Sequence, residues 1–294
     1  MIVHLVDGTY ELFRYFFAVP SHLTDKDREV GGTRGVVGSM LSMLEGGATH
    51  VGIATDHVIE SFRNDLLASY KTGAGIDPAL RSQFTLLEDT LAAVGFCVWP
   101  MVEFEADDAM GAAAKVAATD PRVDRVMICT PDKDLGQCVT EDGRIVQFDR
   151  RRETLIDFAG VIAKFGVPPA SIPDYLALVG DTADGIPGVP GWGAKTAGAV
   201  LARYGHLEDI PLEAGKWDVS VRGAAKLVYT LSAHYEDAML YRRLATIETD
   251  APTITSVDEL EWKGPSADCR AALDAIDAGN YGPRIDRLLR RRAR

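Results

Sequence analysis

Five short apolar runs, each of strand length and separated by stretches of helical periodicity, constrain this chain more than any other feature. They lie at residues 2–6, 51–55, 96–99, 125–129 and 144–148. Runs this short and this uniformly apolar suit strands buried on both faces. The stretches at 35–44, 78–94, 107–117 and 135–138 carry helical spacing instead. The alternation predicts an α/β domain, a mostly parallel sheet flanked by helices. After about residue 155 the pattern changes to helices at 158–165, 170–178, 194–204, 223–231 and 235–242, punctuated by FGVPPAS and GIPGVPGWG. The expected division is an α/β domain over 1–157, a helical region over 158–250, and a segment over 251–294 packing on the body.

The acids are placed with the strands. Asp7 ends the first run and Asp56 the second. Glu105, Asp107 and Asp108 open a helix as EADD, and Asp132 and Asp134 follow the fourth run as PDKD. Asp181 and Asp184 lie in GDTADG. In a parallel sheet the carboxyl ends of the strands open onto one edge, where ligands bind. Any one Asp at a helix start is readily an N-cap. Nine together would repel one another and take up protons unless cations neutralise them. A donor set of carboxylates without His or Cys suits Mg²⁺ or Mn²⁺, and nine acids fit two or more ions.

GIPGVPGWG followed by AKTA reads as a hairpin opening a helix near Ala194. Gly188, Gly191 and Gly193 let backbone approach a ligand, and Lys195 with Thr196 stand in the first helical turn. Lysine there opposes the helix dipole, yet it suits a phosphate. The pattern is a helix-hairpin-helix that holds nucleic-acid backbone without reading bases. Arg14 follows Asp7, and Arg63, Tyr70 and Lys71 follow Asp56 in SFRNDLLASYK. Tyr70 offers a ring for stacking a base, and Lys71 a charge for a phosphoryl group.

Charge alone points the other way. Lys plus Arg is 31 and Asp plus Glu 43, a net −12, which excludes a generally basic coat. Nine of those acids belong to the clusters, so most of the excess is local. The four cysteines, Cys97, Cys129, Cys138 and Cys269, form no C-x-x-C pair. Neither a P-loop nor a G-x-G-x-x-G stands at a strand end, against an NTPase or a dehydrogenase. The first residues, MIVHLVDGTY, lack a basic n-region, and the apolar stretch near 91–102 is too short to span a bilayer. The expected location is the cytoplasm, with no membrane partner.

With these residues in view, the chain resembles the 5′-nuclease superfamily, in particular the 5′→3′ exonuclease domain of bacterial DNA polymerase I and stand-alone bacterial flap endonucleases. LVDGTYELFR, SFRNDLLASYK, EFEADDAMG, CTPDKDLGQ and FGVPPASIPDYLALVGDTADGIPGVPGWGAKTA carry the likeness, and YRRLATIETD extends it to about residue 250. The resemblance implies a PIN-like α/β domain followed by a helix-3-turn-helix region. It implies metal-dependent hydrolysis of phosphodiesters in DNA with a 5′ flap, a nick or a 5′ end, with RNA–DNA hybrid as a further substrate, in replication and repair. It gives a first metal cluster of Asp7, Asp56, Glu105, Asp107 and Asp108, and a second of Asp132, Asp134, Asp181 and Asp184. The catalytic group it implies is Lys71, Arg63, Asp7 and Asp132. Arg14, Tyr70, Lys71 and the hairpin residues would face DNA, and the carbonyls of Ile186 and Val189 would hold K⁺. A monomer working with a separate polymerase is expected. Two other readings stay open: a catalytically silent DNA-structure-binding paralogue and a PIN-type ribonuclease.

The chain departs from that pattern twice. The family usually carries an arginine three residues after the lysine, whereas here the segment runs Lys71-Thr-Gly-Ala-Gly-Ile-Asp with no positive charge until Arg81. Gly185 stands where the family has asparagine.

Overall fold

The computed structural model describes residues 1–292. They form two compact units that alternate along the chain. The first comprises Met1–Ile59, Gly73–Thr130 and the chain from Thr249 onward; the second comprises Glu60–Thr72 and Pro131–Glu248. Three consecutive spans were expected, so the division differs from the sequence reading. Side-chain bonding explains the interleaving. Arg63 is buried and donates through Nε and Nη2 to the carbonyls of Leu244 and Thr246, at 2.7 and 2.9 Å, which fastens 60–72 to a distant helix end. Arg284 pairs with both carboxylate oxygens of Glu45, at 2.9 and 2.7 Å, and the indole N–H of buried Trp262 donates to the Val94 carbonyl at 2.9 Å. Those bonds tie the last part of the chain into the first unit.

The first unit is built on parallel strands β1 (Ile2–Asp7), β2 (His50–Asp56), β3 (Cys97–Met101) and β4 (Arg125–Cys129). β1 lies between β2 and β4, and β3 pairs with β2. Val3, Leu5, Val6, Ile53, Val126 and Ile128 are fully buried, as continuous apolar runs require. Among the described residues β3 pairs only with β2, a position that tolerates Pro100, which cannot donate to a ladder. The register sets Asp7 opposite Ala54 and Asp56 opposite Met101, so neighbouring strands deliver their acids at the same end. Gly8 must be glycine: a Cβ there would stand 2.9 Å from the Ala54 carbonyl oxygen. Helix Ala106–Thr119 packs its buried Ala109, Ala112, Ala113 and Gly111 toward the strands.

The second unit has an antiparallel pair, β5 (Ile145–Asp149) and β6 (Thr154–Ile156). It continues with helices Phe158–Phe165, Ile172–Val179, Ala194–Tyr204, Ala224–Ala233 and Tyr235–Ala245. Their core contains Val161, Val167, Ile172, Leu176, Leu201 and Leu231. Several elements depart from the sequence reading beyond their ends. Helices Gly8–Ala18, Arg63–Leu66, Cys269–Ala275 and Gly282–Arg292 and strand β6 were not anticipated. The stretch 78–94 is not one helix but two, Pro78–Arg81 and Phe84–Val94.

Candidate metal centres and nucleic-acid surface

In the first unit the acids are wired into backbone. Asp7 caps helix Gly8–Ala18: Oδ1 accepts the Tyr10 N–H at 2.8 Å, and Oδ2 accepts from the Thr130 hydroxyl at 3.2 Å. Asp56 Oδ1 accepts the Ala106 N–H at 2.9 Å, which puts it at the start of the helix carrying Asp107 and Asp108. Asp108 returns a bond to the Glu105 N–H at 2.9 Å, one half of a capping box. Asp7, Asp56, Glu105 and Asp108 are all buried, while Asp107 is half-buried in the first turn. A capping bond does not bar a carboxylate from holding a cation, because each of its oxygens carries two lone pairs.

The second unit gathers Asp134, Asp181 and Asp184, with one carboxylate oxygen from each within 4.8 Å of the others. Asp132 belongs to the same group, since its Oδ1 accepts the Asp134 N–H at 3.3 Å and its charge acts on Asp134. Burial, reinforced by Asp132, Asp184 and Asp181, pushes the Asp134 carboxyl well above the usual carboxylate range. Its Oδ1 is buried and has no hydrogen-bond partner among the described residues. A buried carboxylate with an unsatisfied oxygen and three acidic neighbours is the donor set a hard divalent cation satisfies. The residues thus fit such an ion.

Lys133, which sequence reading passed over, partly neutralises this group. Its Nζ lies 2.6 Å from Asp181 Oδ2. Burial works against its charge, but the bond to Asp181 and the nearby aspartates outweigh that and raise its pKa. Its only sequence signal is its place between Asp132 and Asp134.

Of the residues expected to face substrate, two are internal. Arg63 is 2% exposed and donates through Nε and Nη2 to the Leu244 and Thr246 carbonyls. Tyr70 is 3% exposed and belongs to the core of the second unit, so its ring face is not offered to a base. The reason is shared: segment 60–72 needs anchors, and its largest side chains supply them. Lys71 is half-buried, and its N–H donates to the Asp184 carbonyl at 3.0 Å. Arg14 pairs with buried Glu11 and stacks on Tyr15 at 4.1 Å.

The hairpin after Asp184 is tightly made. Asp181 and Ile186 exchange backbone hydrogen bonds, both 2.8 Å. Gly188 has φ +75°, and a Cβ there would meet the Gly180 nitrogen at 2.5 Å. The side chains of Ile186 and Val189 are buried; their carbonyls, the expected K⁺ ligands, already accept from Asp181 and Trp192. Gly191, Gly193 and Lys195 are exposed, with Thr196 half-buried beside them. Gly185 is half-buried within the turn. A groove of about 380 Å³ opens here, lined by Lys164, Phe165, Gly166, Tyr175, Lys195 and Gly198. Neither lysine forms an ion pair among the described residues. Burial lowers the Lys164 pKa, and its Nζ stands 4.8 Å over the Phe165 ring. Lys164 was not singled out in the sequence, where it is one lysine in an amphipathic helix.

Among the described residues no helix is long and apolar enough to cross a membrane. Residues 2–166 match the family model for the 5′-3′ exonuclease, N-terminal resolvase-like domain, and 167–268 that for the 5′-3′ exonuclease, C-terminal SAM fold. The chain is 35% identical over 279 residues to DNA polymerase I of Pseudomonas aeruginosa, covering 92% of this chain and 30% of that protein. It is 28% identical over 291 residues to a 5′-3′ exonuclease of Aquifex aeolicus, covering 98% and 96%. It thus spans about 30% of the length of the polymerase relatives it matches. The fold is similar to that of T5 5′-exonuclease with bound zinc, with a TM-score of 0.65 at 20% identity over 99% of both chains. It is also similar to the catalytic core of Rad2 in complex with DNA substrate, with a TM-score of 0.62 at 13% identity over 97% and 91%. With both of its models matched in order along the sequence, the chain belongs to the 5′-3′ exonuclease family.

Proposed function

We propose that this chain is a structure-specific 5′ nuclease that hydrolyses phosphodiesters of DNA at a 5′ flap, a nick or a 5′ end. The observation that carries the reading is the buried group around Asp134, whose orphaned Oδ1 and raised pKa call for a cation. Mg²⁺ or Mn²⁺, bound at both acidic clusters, supplies a Lewis acid for the phosphoryl oxygens and lowers the pKa of water. Asp132, Asp134, Asp181 and Asp184 form one set of ligands; Asp7, Asp56, Glu105, Asp107 and Asp108 form the other. Lys71 offsets charge on the phosphoryl oxygens. Lys195, Thr196 and the open backbone of Gly191 and Gly193 hold duplex phosphates, joined by Lys164 across the groove. Base sequence carries little weight in such contacts. Arg14 contributes charge beside the first cluster. A monovalent ion at the Ile186 and Val189 carbonyls belongs to the same reading and is tested by exchanging K⁺ for tetramethylammonium. The chain acts as a monomer in the cytoplasm.

The test uses a 5′-labelled flap substrate with Mg²⁺, Mn²⁺ or chelator. Product should form only with metal, and Asp132→Asn should lower cleavage by about 10²-fold or more while DNA binding persists. Near-wild-type cleavage by that variant would sink the reading. All-DNA, hybrid and all-RNA versions of the substrate, run in parallel, decide the strand preference.

A further inference from the structure

Lys71 sits at the end of a segment that has little stiffness of its own, because Gly73 and Gly75 follow it closely. Something must hold its peptide in place. In the short helix Arg63–Leu66, Asn64 turns its side chain back on the same segment. Its Oδ1 accepts the Ser61 N–H at 2.8 Å. Its Nδ2 donates to the carbonyls of Tyr70 and Lys71, at 3.3 and 3.1 Å. On the other side of that peptide, the Lys71 N–H donates to the Asp184 carbonyl. The peptide entering Lys71 is therefore gripped from both sides, by an acid of the second cluster and by Asn64.

We propose that Asn64 is a positioning residue that sets Lys71 against the Asp134–Asp181–Asp184 group. The proposal rests on the reading of Lys71 as the group that offsets phosphoryl charge. An amide is needed for both halves of the job, one acceptor and two donors on one planar group. Aspartate could still serve the Ser61 N–H, but it would set carboxylate oxygen against two carbonyls. Alanine would remove this donor from the Tyr70 and Lys71 carbonyls and let the peptide drift. A displacement of about 1 Å costs on the order of 10²-fold when a charged group must meet a transition state.

The test compares Asn64→Ala, Asn64→Asp, Lys71→Ala and Asn64→Ala/Lys71→Ala. Single-turnover cleavage of a 5′-flap DNA is measured with Mg²⁺, affinity with Ca²⁺ in its place, and thermal unfolding alongside. Both Asn64 variants should slow cleavage by about 10-fold or more, with affinity changed less than about 2-fold. In the Lys71→Ala background, Asn64→Ala should add less than about 2-fold, because the group it positions is gone. Asn64→Asp keeps the Ser61 bond, so it carries the test even where Asn64→Ala unfolds. Wild-type cleavage by Asn64→Asp overturns the proposal, as does an Asn64→Ala cost that persists in full without Lys71. Wild-type cleavage by Lys71→Ala alone overturns instead the reading of Lys71, and is visible before Asn64 is touched.

Discussion

Asp134 and Arg63 are both buried charged residues, and their surroundings give them opposite consequences. Asp134 is opposed by burial and by Asp132, Asp184 and Asp181, so its pKa is raised in the folded chain. Below about pH 4 the carboxyl is neutral folded and unfolded, and costs nothing extra. As pH rises the unfolded state ionises first, and the metal-free fold loses stability until the folded carboxyl ionises too. Asp134→Asn removes that loss. Its melting temperature in chelator should therefore exceed that of the wild type by a margin that grows as pH rises above about 4; a margin independent of pH would refute the assignment. Arg63 donates to two main-chain carbonyls, those of Leu244 and Thr246. Arg63→Lys has too few donors in the right geometry, and should cost about 1–3 kcal/mol in urea unfolding, through an unfilled carbonyl. Sequence reading found both residues but sent Arg63 to the substrate. Nothing in SFRNDLLASYK reveals that Leu244 and Thr246, some 180 positions on, present their carbonyls to it.

At the level of elements, the apolar runs and the acids at their ends were legible because both follow from local pattern. β1, β2 and β4 begin or end within a residue or two of the expected bounds. What was not legible came from distant partners. The periodicity over 78–94 is helical throughout, yet the helix breaks at Ser82 and Gln83. Gln83 is fully buried, and its Oε1 accepts both the N–H and the hydroxyl of Thr33, at 2.9 and 3.1 Å. A bond across 50 positions thus overrides a propensity of a few tenths of a kcal/mol per residue. Gln83→Ala should remove the acceptor of a buried N–H and destabilise the chain by about 1–3 kcal/mol, with little change in helical circular dichroism. β6 escaped notice because three residues are too few to show a period. The candidate site divides the same way. The nine acids stand in readable motifs, whereas Lys133, Lys164 and Asn64 gain their meaning only from what they touch.

For the whole molecule, the −12 charge excess does not describe the groove beside the hairpin, where Lys164 and Lys195 stand without ion-pair partners among the described residues. DNA affinity should accordingly fall with salt on a shallow slope, about that of two or three phosphate contacts, in titrations from low to moderate ionic strength. A steep slope would mean that a wider surface is engaged. The interleaving of the two units has a consequence for how the chain comes off a ribosome. Glu45 leaves early, but the arginine that pairs with it, Arg284, lies 239 positions later. The first unit therefore lacks this pairing until Arg284 has been made, while the second has all its residues by Glu248. The unit that begins first is the one completed later. A chain truncated after residue 250 and released from the ribosome should already protect the hairpin helices from protease and leave the first unit open to it.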